Sequence, residues 1–280
     1  MLVSELINFG SKELRQKKIS THLLDSELII SNILQQSREK TITSNDKKVN
    51  LRIVSDFKRC LKRRLKLEPM AYIFKEKDFW TTKFNIDKNT LIPRPETELL
   101  VEKIVKIFKG KKTSILDIGT GSGCIILSIL LELKNCRGVG IDISKKAITI
   151  ANRNAKKLKL KERVRFYNRP LDLYFGSKFD IVVSNPPYIC SHQIKNLAED
   201  VKRYEPRIAL NGGNDGLDVI KKVIYKSRTI LKRKGILALE IGQGQYKKVS
   251  QILKLHGFKD SYLISDYQNN IRCIFASLEN

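Results

Sequence analysis

Ile115-Leu116-Asp117-Ile118-Gly119-Thr120-Gly121-Ser122-Gly123 reads as an apolar strand running into a glycine-rich turn, and the apolar run Cys124 to Leu133 behind it fits a helix. Three alternating glycines permit the positive φ values that a tight strand-to-helix turn needs. They also remove the Cβ atoms that would hold a ligand off the backbone. Taken alone the glycine pattern is weak, because dinucleotide folds use a similar one. The next strand, Arg137-Gly138-Val139-Gly140-Ile141-Asp142, ends in an acid. Roughly twenty residues beyond such a turn is where a carboxylate accepts hydrogen bonds from both hydroxyls of a ribose. Turn and acid together point to a nucleoside cofactor and leave nicotinamide and S-adenosylmethionine to be separated.

Outward from this unit, strands and helices alternate from Pro93 onward, with strands near 113–118, 137–142, 163–167, 179–184, 235–241, 258–264 and 270–277. That is the count of a seven-stranded α/β sheet. Toward the amino terminus the spacing is helical instead: Leu6, Ile7 and Leu14; then Leu23, Leu24, Leu28, Ile29 and Leu34; then Leu51, Val54, Phe57, Leu61 and Leu65. Thr21 and Ser44 are candidate caps, Asn45 to Lys48 a loop between helices, and Pro69 the close of the last helix. Asp78 to Ile92 alternates as a linking hairpin with Asp87-Lys88-Asn89 as its turn. The expected division is a helical domain over 1–73, a hairpin over 74–93 and a catalytic domain over 94–280.

Ile181-Val182-Val183-Ser184-Asn185-Pro186-Pro187-Tyr188 takes a buried strand into Asn-Pro-Pro-Tyr. Two prolines end the strand abruptly, since neither donates to a ladder and the first forces Asn185 to be extended. A stiff loop at the carboxyl end of a strand is where open α/β sheets place ligands. There the Asn185 amide and the Pro186 carbonyl are suited to accept the two N–H groups of a planar NH2 substrate, with Tyr188 packed against it. Accepting both would aim the nitrogen lone pair at a methyl donor and stabilise the charge that grows on it. Asn-Pro alone also marks ordinary turns; beside the glycine turn, the loop favours S-adenosylmethionine over nicotinamide.

With 41% hydrophobic residues the chain can bury one sizeable core and a smaller satellite. No apolar run approaches a membrane span, and Met1 to Gly10 has Glu5 and no basic residue ahead of an apolar stretch, unlike a secretory signal. Cys60, Cys124, Cys136, Cys190 and Cys273 are scattered without Cys-x-x-Cys spacing, which argues against a disulfide framework or zinc site. Cys124 and Cys190, beside the two loops, are read as small buried hydrophobes. His22, His192 and His256 lack metal-ligand spacing. The net charge of +25 suits nucleic acid or an acidic protein partner, but the lysines are spread from Lys12 to Lys259, so compositional drift is the favoured reading.

Three further segments complete the pattern: Ile92-Pro93-Arg94-Pro95-Glu96-Thr97-Glu98, Arg203-Tyr204-Glu205-Pro206-Arg207-Ile208-Ala209-Leu210, and Asn211-Gly212-Gly213-Asn214-Asp215-Gly216-Leu217. With them the chain resembles, over nearly all of its length, the release factor glutamine methyltransferases (PrmC/HemK-like), which modify N5 of a glutamine in peptide chain release factors. Asn-Pro-Pro-Tyr is shared by several amino-methylating families. The Pro-Arg-Pro-Glu-Thr-Glu string is more specific, and looks like the release-factor enzyme rather than its relative acting on a ribosomal protein.

The resemblance implies a class I S-adenosylmethionine-dependent methyltransferase fold: a seven-stranded doubly wound sheet, last strand antiparallel, with a small N-terminal helical domain and a linking β-hairpin. It implies methyl transfer from S-adenosyl-L-methionine, leaving S-adenosyl-L-homocysteine, to the glutamine of the Gly-Gly-Gln motif in class I release factors. Implied cofactor contacts are Gly119, Thr120, Gly121, Ser122, Gly123, Asp142, Pro170 and Asn185. Asn185, Pro186 and Tyr188 are the implied catalytic residues, and Pro187 joins them in contacting substrate; no metal is expected. The helical domain is expected to recognise the release factor, and the enzyme to be a cytoplasmic monomer. Where relatives carry an acid and a bulky residue against adenine, this chain has Arg169-Pro170. Asp172, the Asn168 amide, or packing on Pro170 and Leu171 are the alternatives. The competing function is a nucleic-acid adenine-N6 or cytosine-N4 methyltransferase, whose exocyclic amine offers the same two donors; no segment is long enough for a separate sequence-reading domain. A non-catalytic RNA-binding platform is a third reading, opposed by the intact turn and loop.

Overall fold

A computed structural model describes residues 1–176 and 178–279. It begins with α1 (Val3–Gln16), α2 (His22–Leu34), α3 (Arg38–Thr43), α4 (Leu51–Arg64) and α5 (Met70–Phe74), then β1 (Glu76–Phe79) and β2 (Thr82–Asn85). There follow α6 (Glu98–Phe108), β3 (Ser114–Ile118), α7 (Cys124–Glu132), β4 (Arg137–Asp142), α8 (Lys145–Lys157), β5 (Val164–Asn168) and β6 (Phe179–Ser184). The last elements are α9 (Glu199–Tyr204), α10 (Asp218–Ile230), β7 (Leu231–Glu240), α11 (Tyr246–Leu255), β8 (Phe258–Ser265) and β9 (Ile271–Leu278). Two compact units result. One is Met1–Lys75 with Glu199–Tyr204; the other is Glu76–Ala198 with the chain from Glu205 onward.

The helical unit buries Leu6, Leu14, Ile29, Ile30 and Phe57 in a core of its own. Gly10, in the middle of α1, is where a Cβ would come within 2.5 Å of Ser26 Oγ and 2.7 Å of Phe57 Cζ. Only glycine lets α1 lie that close, which offsets its cost of about 1 kcal/mol inside a helix. Arg64 Nε donates to Asp25 Oδ2 at 2.7 Å, pairing a carboxylate that is otherwise buried.

Three local expectations are corrected here. Thr21 does precede α2, but its ψ of 18° is not the extended geometry of a capping residue, and its hydroxyl donates to Asp25 Oδ2. Ser44 lies at the opposite end of α3, donating back to the Lys40 carbonyl; the caps that accept backbone N–H groups are Ser37 for α3 and Asn50 for α4. Pro69 opens α5 rather than closing α4, its φ of −57° being suited to a helix start.

The hairpin pairs Glu76 with Asn85 and Phe79 with Thr82, so its turn is Trp80-Thr81, with Trp80 at φ 55°. Asp87-Lys88-Asn89 is instead a side-chain-closed turn after β2, where Asp87 Oδ1 accepts the Asn89 N–H at 2.8 Å. The earlier turn puts Phe79 and Phe84 edge to face at 6.0 Å in the core.

The main sheet has the order β5-β4-β3-β6-β7-β9-β8, with β5, β4, β3, β6 and β7 parallel and β9 antiparallel to both neighbours. Ile115, Ile181 and Val183 face one layer, with Leu100 and Ile104 of α6 and Ile126 of α7. Leu116, Val182 and Leu237 face the other, with Ile220 and Ile224 of α10 and Val249 of α11. Burial on both faces explains why these strands read as continuous apolar runs. The strand order reverses between β3 and β6, so a crevice opens beyond their carboxyl ends. Among the described residues no helix is long and apolar enough to cross a membrane.

Candidate active site

The glycine turn leaves β3 with Gly119 at φ 71° and Gly121 at φ 55°. The Gly119 and Thr120 N–H groups both donate to the Ile141 carbonyl, at 2.9 and 3.0 Å, which ties the turn to β4. A Cβ at Gly119 would meet no protein atom within 4 Å, so that side of the backbone faces open space. Gly123 differs. Its Cβ would come within 3.0 Å of Leu127 and 3.2 Å of Phe166, so it is needed for packing at the start of α7 and does not line the crevice. Asn154, fully buried on α8, braces the turn from below. Its Nδ2 donates to the Ser122 carbonyl at 2.8 Å and to the Asn85 carbonyl at 3.0 Å, and its Oδ1 accepts the Asn85 N–H.

Asp142 projects from the end of β4 beside this turn. Its Oδ2 accepts the Gly121 N–H at 2.9 Å and its Oδ1 accepts the Ser144 N–H at 2.8 Å. Each oxygen keeps a lone-pair direction, which two vicinal hydroxyls could fill. Burial raises the carboxyl's pKa from its ordinary value, opposed by those two N–H groups. Asp117, beneath the turn, is wholly buried; desolvation pushes it up to about 7 although the Thr120 hydroxyl donates to it at 2.7 Å.

The crevice has a volume of about 660 Å³, and Gly119 to Ser122, Asp142 and Asn185 are in its wall. Arg169, Pro170, Leu171 and Asp172 line it too. Asn168 is not among the lining residues; its Nδ2 donates to the Asp142 carbonyl. Pro170 and Leu171, with Arg169 and Asp172 beside them, thus form one packing surface in the crevice wall. Cys124 also lines the crevice, and burial pushes its thiol up to about 12, which disfavours the thiolate.

Of the proline loop, Asn185 and Pro187 line the crevice, whereas Pro186 and Tyr188 do not. The Tyr188 ring packs among the residues between the sheet and α10 and α11, and burial raises its phenol's pKa. Its carbonyl accepts Gln245 Nε2 at 3.0 Å. A Cβ on Gly212 would stand 2.7 Å from the Pro187 carbonyl, so the Asn-Gly-Gly segment must be bare where it backs the loop. Asn185 Nδ2 donates to Thr97 Oγ1 at 3.1 Å, and Thr97 Oγ1 donates to Glu240 Oε2 at 2.6 Å. Desolvation pushes Glu240, 1% exposed, up to about 7 against the Thr97 hydroxyl.

Thr97 and Glu240 were not singled out as site residues from the sequence, nor was Asn154. The available signal for Glu240 was a lone acid closing the apolar run from Ile236, a costly position unless the charge has partners. Arg94 pairs with the buried Glu205 at 2.6 Å, and Glu205 Oε2 also accepts the Ile92 N–H. The start of the Ile92 to Glu98 segment is thereby tied to Glu205 beside the crevice, which Arg94, Pro206 and Arg207 line.

Residues 5–74 match the family described as the PrmC N-terminal domain, and residues 109–240 match a methyltransferase domain. The release factor glutamine methyltransferase of Clostridium acetobutylicum is 36% identical over 267 residues, covering 94% of this chain and 94% of its own length. That of Buchnera aphidicola subsp. Baizongia pistaciae is 35% identical, covering 97% of this chain and 98% of its own. The ribosomal protein L11 methylase of Lactobacillus delbrueckii subsp. bulgaricus matches in structure with a TM-score of 0.51 at 19% identity, over 69% of this chain and 84% of that one, which is a likeness of fold.

Proposed function

The chain belongs to the family of release factor glutamine methyltransferases, and from that premise we propose that it methylates the side-chain amide nitrogen of the Gly-Gly-Gln glutamine in class I peptide chain release factors. The observation that carries this reading is the shared crevice: the bare backbone at Gly119, the Asp142 carboxylate and the Asn185 amide line one cavity at the reversal of strand order. S-adenosylmethionine fits there. The space beside Gly119 admits a ligand against the main chain, and Asp142 retains the acceptor capacity that a ribose diol requires.

When bound, the cofactor supplies a methyl carbon on a sulfonium, displaced with its electron pair returning to sulfur. The chain's own residues do the rest. A glutamine amide is a poor nucleophile because its lone pair is delocalised into the carbonyl. Asn185 Oδ1 accepts one of its N–H groups, and the other goes to the Pro186 carbonyl, whose ring stays out of the crevice but whose peptide joins it to the lining residue Pro187; the pair orients the nitrogen and stabilises the positive charge that develops on it. The nitrogen's extra proton then leaves to water, so no strong base is needed, and asparagine supplies an acceptor that does not compete as one. Pro187 shields the site from one side. Tyr188, through its half-buried ring packed against the core and its carbonyl on Gln245, keeps the acceptors from relaxing.

The helical unit, with a separate core, recognises the substrate protein. The test offers the enzyme and a labelled methyl donor a release factor, its Gln-substituted variant, and mixed DNA and RNA. Label in the first alone is the expected result. Label in nucleic acid with the release factor untouched would move the competing adenine or cytosine activity into first place.

A further inference from the structure

We propose that Thr97 and Glu240 are positioning residues that decide which end of the Asn185 amide faces the substrate, an inference that rests on the glutamine-methylating reading above. The two ends of an asparagine amide are nearly equal in size, so packing does not choose between them; hydrogen bonding does. A threonine hydroxyl has one proton. At 2.6 Å from Glu240 Oε2 that proton belongs to the carboxylate, so toward Asn185, 3.1 Å away, Thr97 Oγ1 can only accept. Asn185 must then present its NH2 to Thr97. Its Oδ1 is left as the acceptor that a substrate amide requires.

All three groups come from different segments of the second unit: Thr97 ahead of α6, Asn185 after β6, and Glu240 at the end of β7, one step beyond the Ser184–Leu239 pair. Thr97 is 2% exposed and Glu240 1%, so water does not substitute for either partner. The chain is directional, and its direction depends on where one proton sits. If Glu240 is protonated, it can donate to Thr97 Oγ1, the Thr97 proton can turn to Asn185, and the amide is stabilised with Oδ1 inward. The NH2 group would then face the N–H donors of the substrate, donor against donor.

The charged and titratable groups facing Glu240 are Glu96 from the segment before α6, Arg272 and Cys273 from β9, Tyr188 from the proline loop and Cys124 from α7. Burial and Glu96 favour the protonated form, whereas Thr97, Arg272 and Asn185 favour the ionised one. The balance pushes Glu240 up to about 7, so the working direction of the chain is held above that pH and lost as pH falls through it.

The experiment pairs kinetics with a spectroscopic readout. Thr97→Val keeps the shape and removes the hydroxyl; kcat should fall about 100-fold, the scale of a misdirected catalytic group, with S-adenosylhomocysteine affinity by calorimetry unchanged. Thr97→Ser should restore kcat. In the wild type kcat should drop on the acid side of about pH 7, and Glu240→Gln should abolish that limb whatever its absolute rate. In nitrogen-15-labelled protein without substrate, the side-chain amide signals missing from Asn185→Ala should shift through the same pH range in the wild type and stay fixed in Glu240→Gln. Wild-type kcat in Thr97→Val, or an unchanged acid limb in Glu240→Gln, with Asn185→Ala inactive, would overturn the positioning role and leave the methyl-transfer reading standing. An active Asn185→Ala would overturn both.

Discussion

Ser184 Oγ donates to the Ile118 carbonyl oxygen at 2.8 Å, fastening the last residue of β6 to the last residue of β3, with which it is paired in register. The glycine turn and the proline loop therefore leave from two adjacent fixed points. On the proposed reading, a nucleoside against the first would meet the acceptors of the second without either loop having to search for the other. Pre-set geometry of this kind is what replaces strong acid or base catalysis in methyl transfer to an amide.

Asn185→Ala removes one of the two proposed acceptors and leaves the glycine turn and Asp142 intact. The rate should fall by about 3 kcal/mol of transition-state stabilisation, on the order of 100-fold, with S-adenosylhomocysteine binding retained. Single-turnover assays and calorimetry check it. Wild-type turnover would remove Asn185 from the chemistry.

At Gly119 the added Cβ of an alanine meets only open space within the protein, while φ is 71°. Gly119→Ala should thus cost about 1–2 kcal/mol of stability from left-handed backbone strain. Its larger effect should be on the cofactor, because the methyl group stands where the ligand would lie. Thermal unfolding and calorimetry separate the two. Full affinity in a folded variant would place the cofactor against some other wall.

Asp142→Ala should weaken S-adenosylmethionine and S-adenosylhomocysteine alike, since both carry the ribose, by roughly 1–3 kcal/mol for a charged hydrogen-bonding partner lost. Gly121 and Ser144 also lose an acceptor for their N–H groups. Asp142→Asn, which keeps one amide oxygen, should weaken binding less. Equal affinities in wild type and both variants would show that the ribose is held elsewhere.

Asp117 gives a pH test of stability. Its folded-state pKa, pushed up to about 7 by burial, lies above that of the unfolded chain, so the folded state holds its proton more tightly. Burial of the charge is fully felt above about pH 7 and relieved as pH falls toward about 4. Asp117→Asn should therefore gain stability relative to the wild type on going from pH 5 to pH 8, by about 1–4 kcal/mol. Urea unfolding of both proteins at the two pH values measures it. A difference that does not change with pH would mean the carboxyl titrates normally.

The parts legible from the sequence were those in which one physical requirement acts on neighbouring residues. Ile115, Leu116, Val182 and Val183 are apolar because a central parallel strand is buried on both faces, and that leaves a continuous run to read. Gly119 and Gly121 are glycine because their φ values are positive, and the prolines after Asn185 end a strand by having no N–H. The hairpin was visible too, but its turn was misplaced, because alternation extends past β2 and only the packing of Phe79 on Phe84 closes it at Trp80-Thr81.

Fold class and the backbone form of the two loops were thus determined by the sequence alone, since local backbone preference and burial periodicity leave short-range marks. The tertiary structure alone decided that Thr97 stands between Asn185 and Glu240, that Arg94 meets Glu205, that Asn154 braces Ser122, and that Tyr188 packs against the core while Pro187 faces the crevice. Each of those contacts joins residues far apart in the chain through one directional hydrogen bond, ion pair or packing choice. A hydrogen bond constrains the identity of two side chains and nothing between them, so it leaves no period for a reader of the sequence to find.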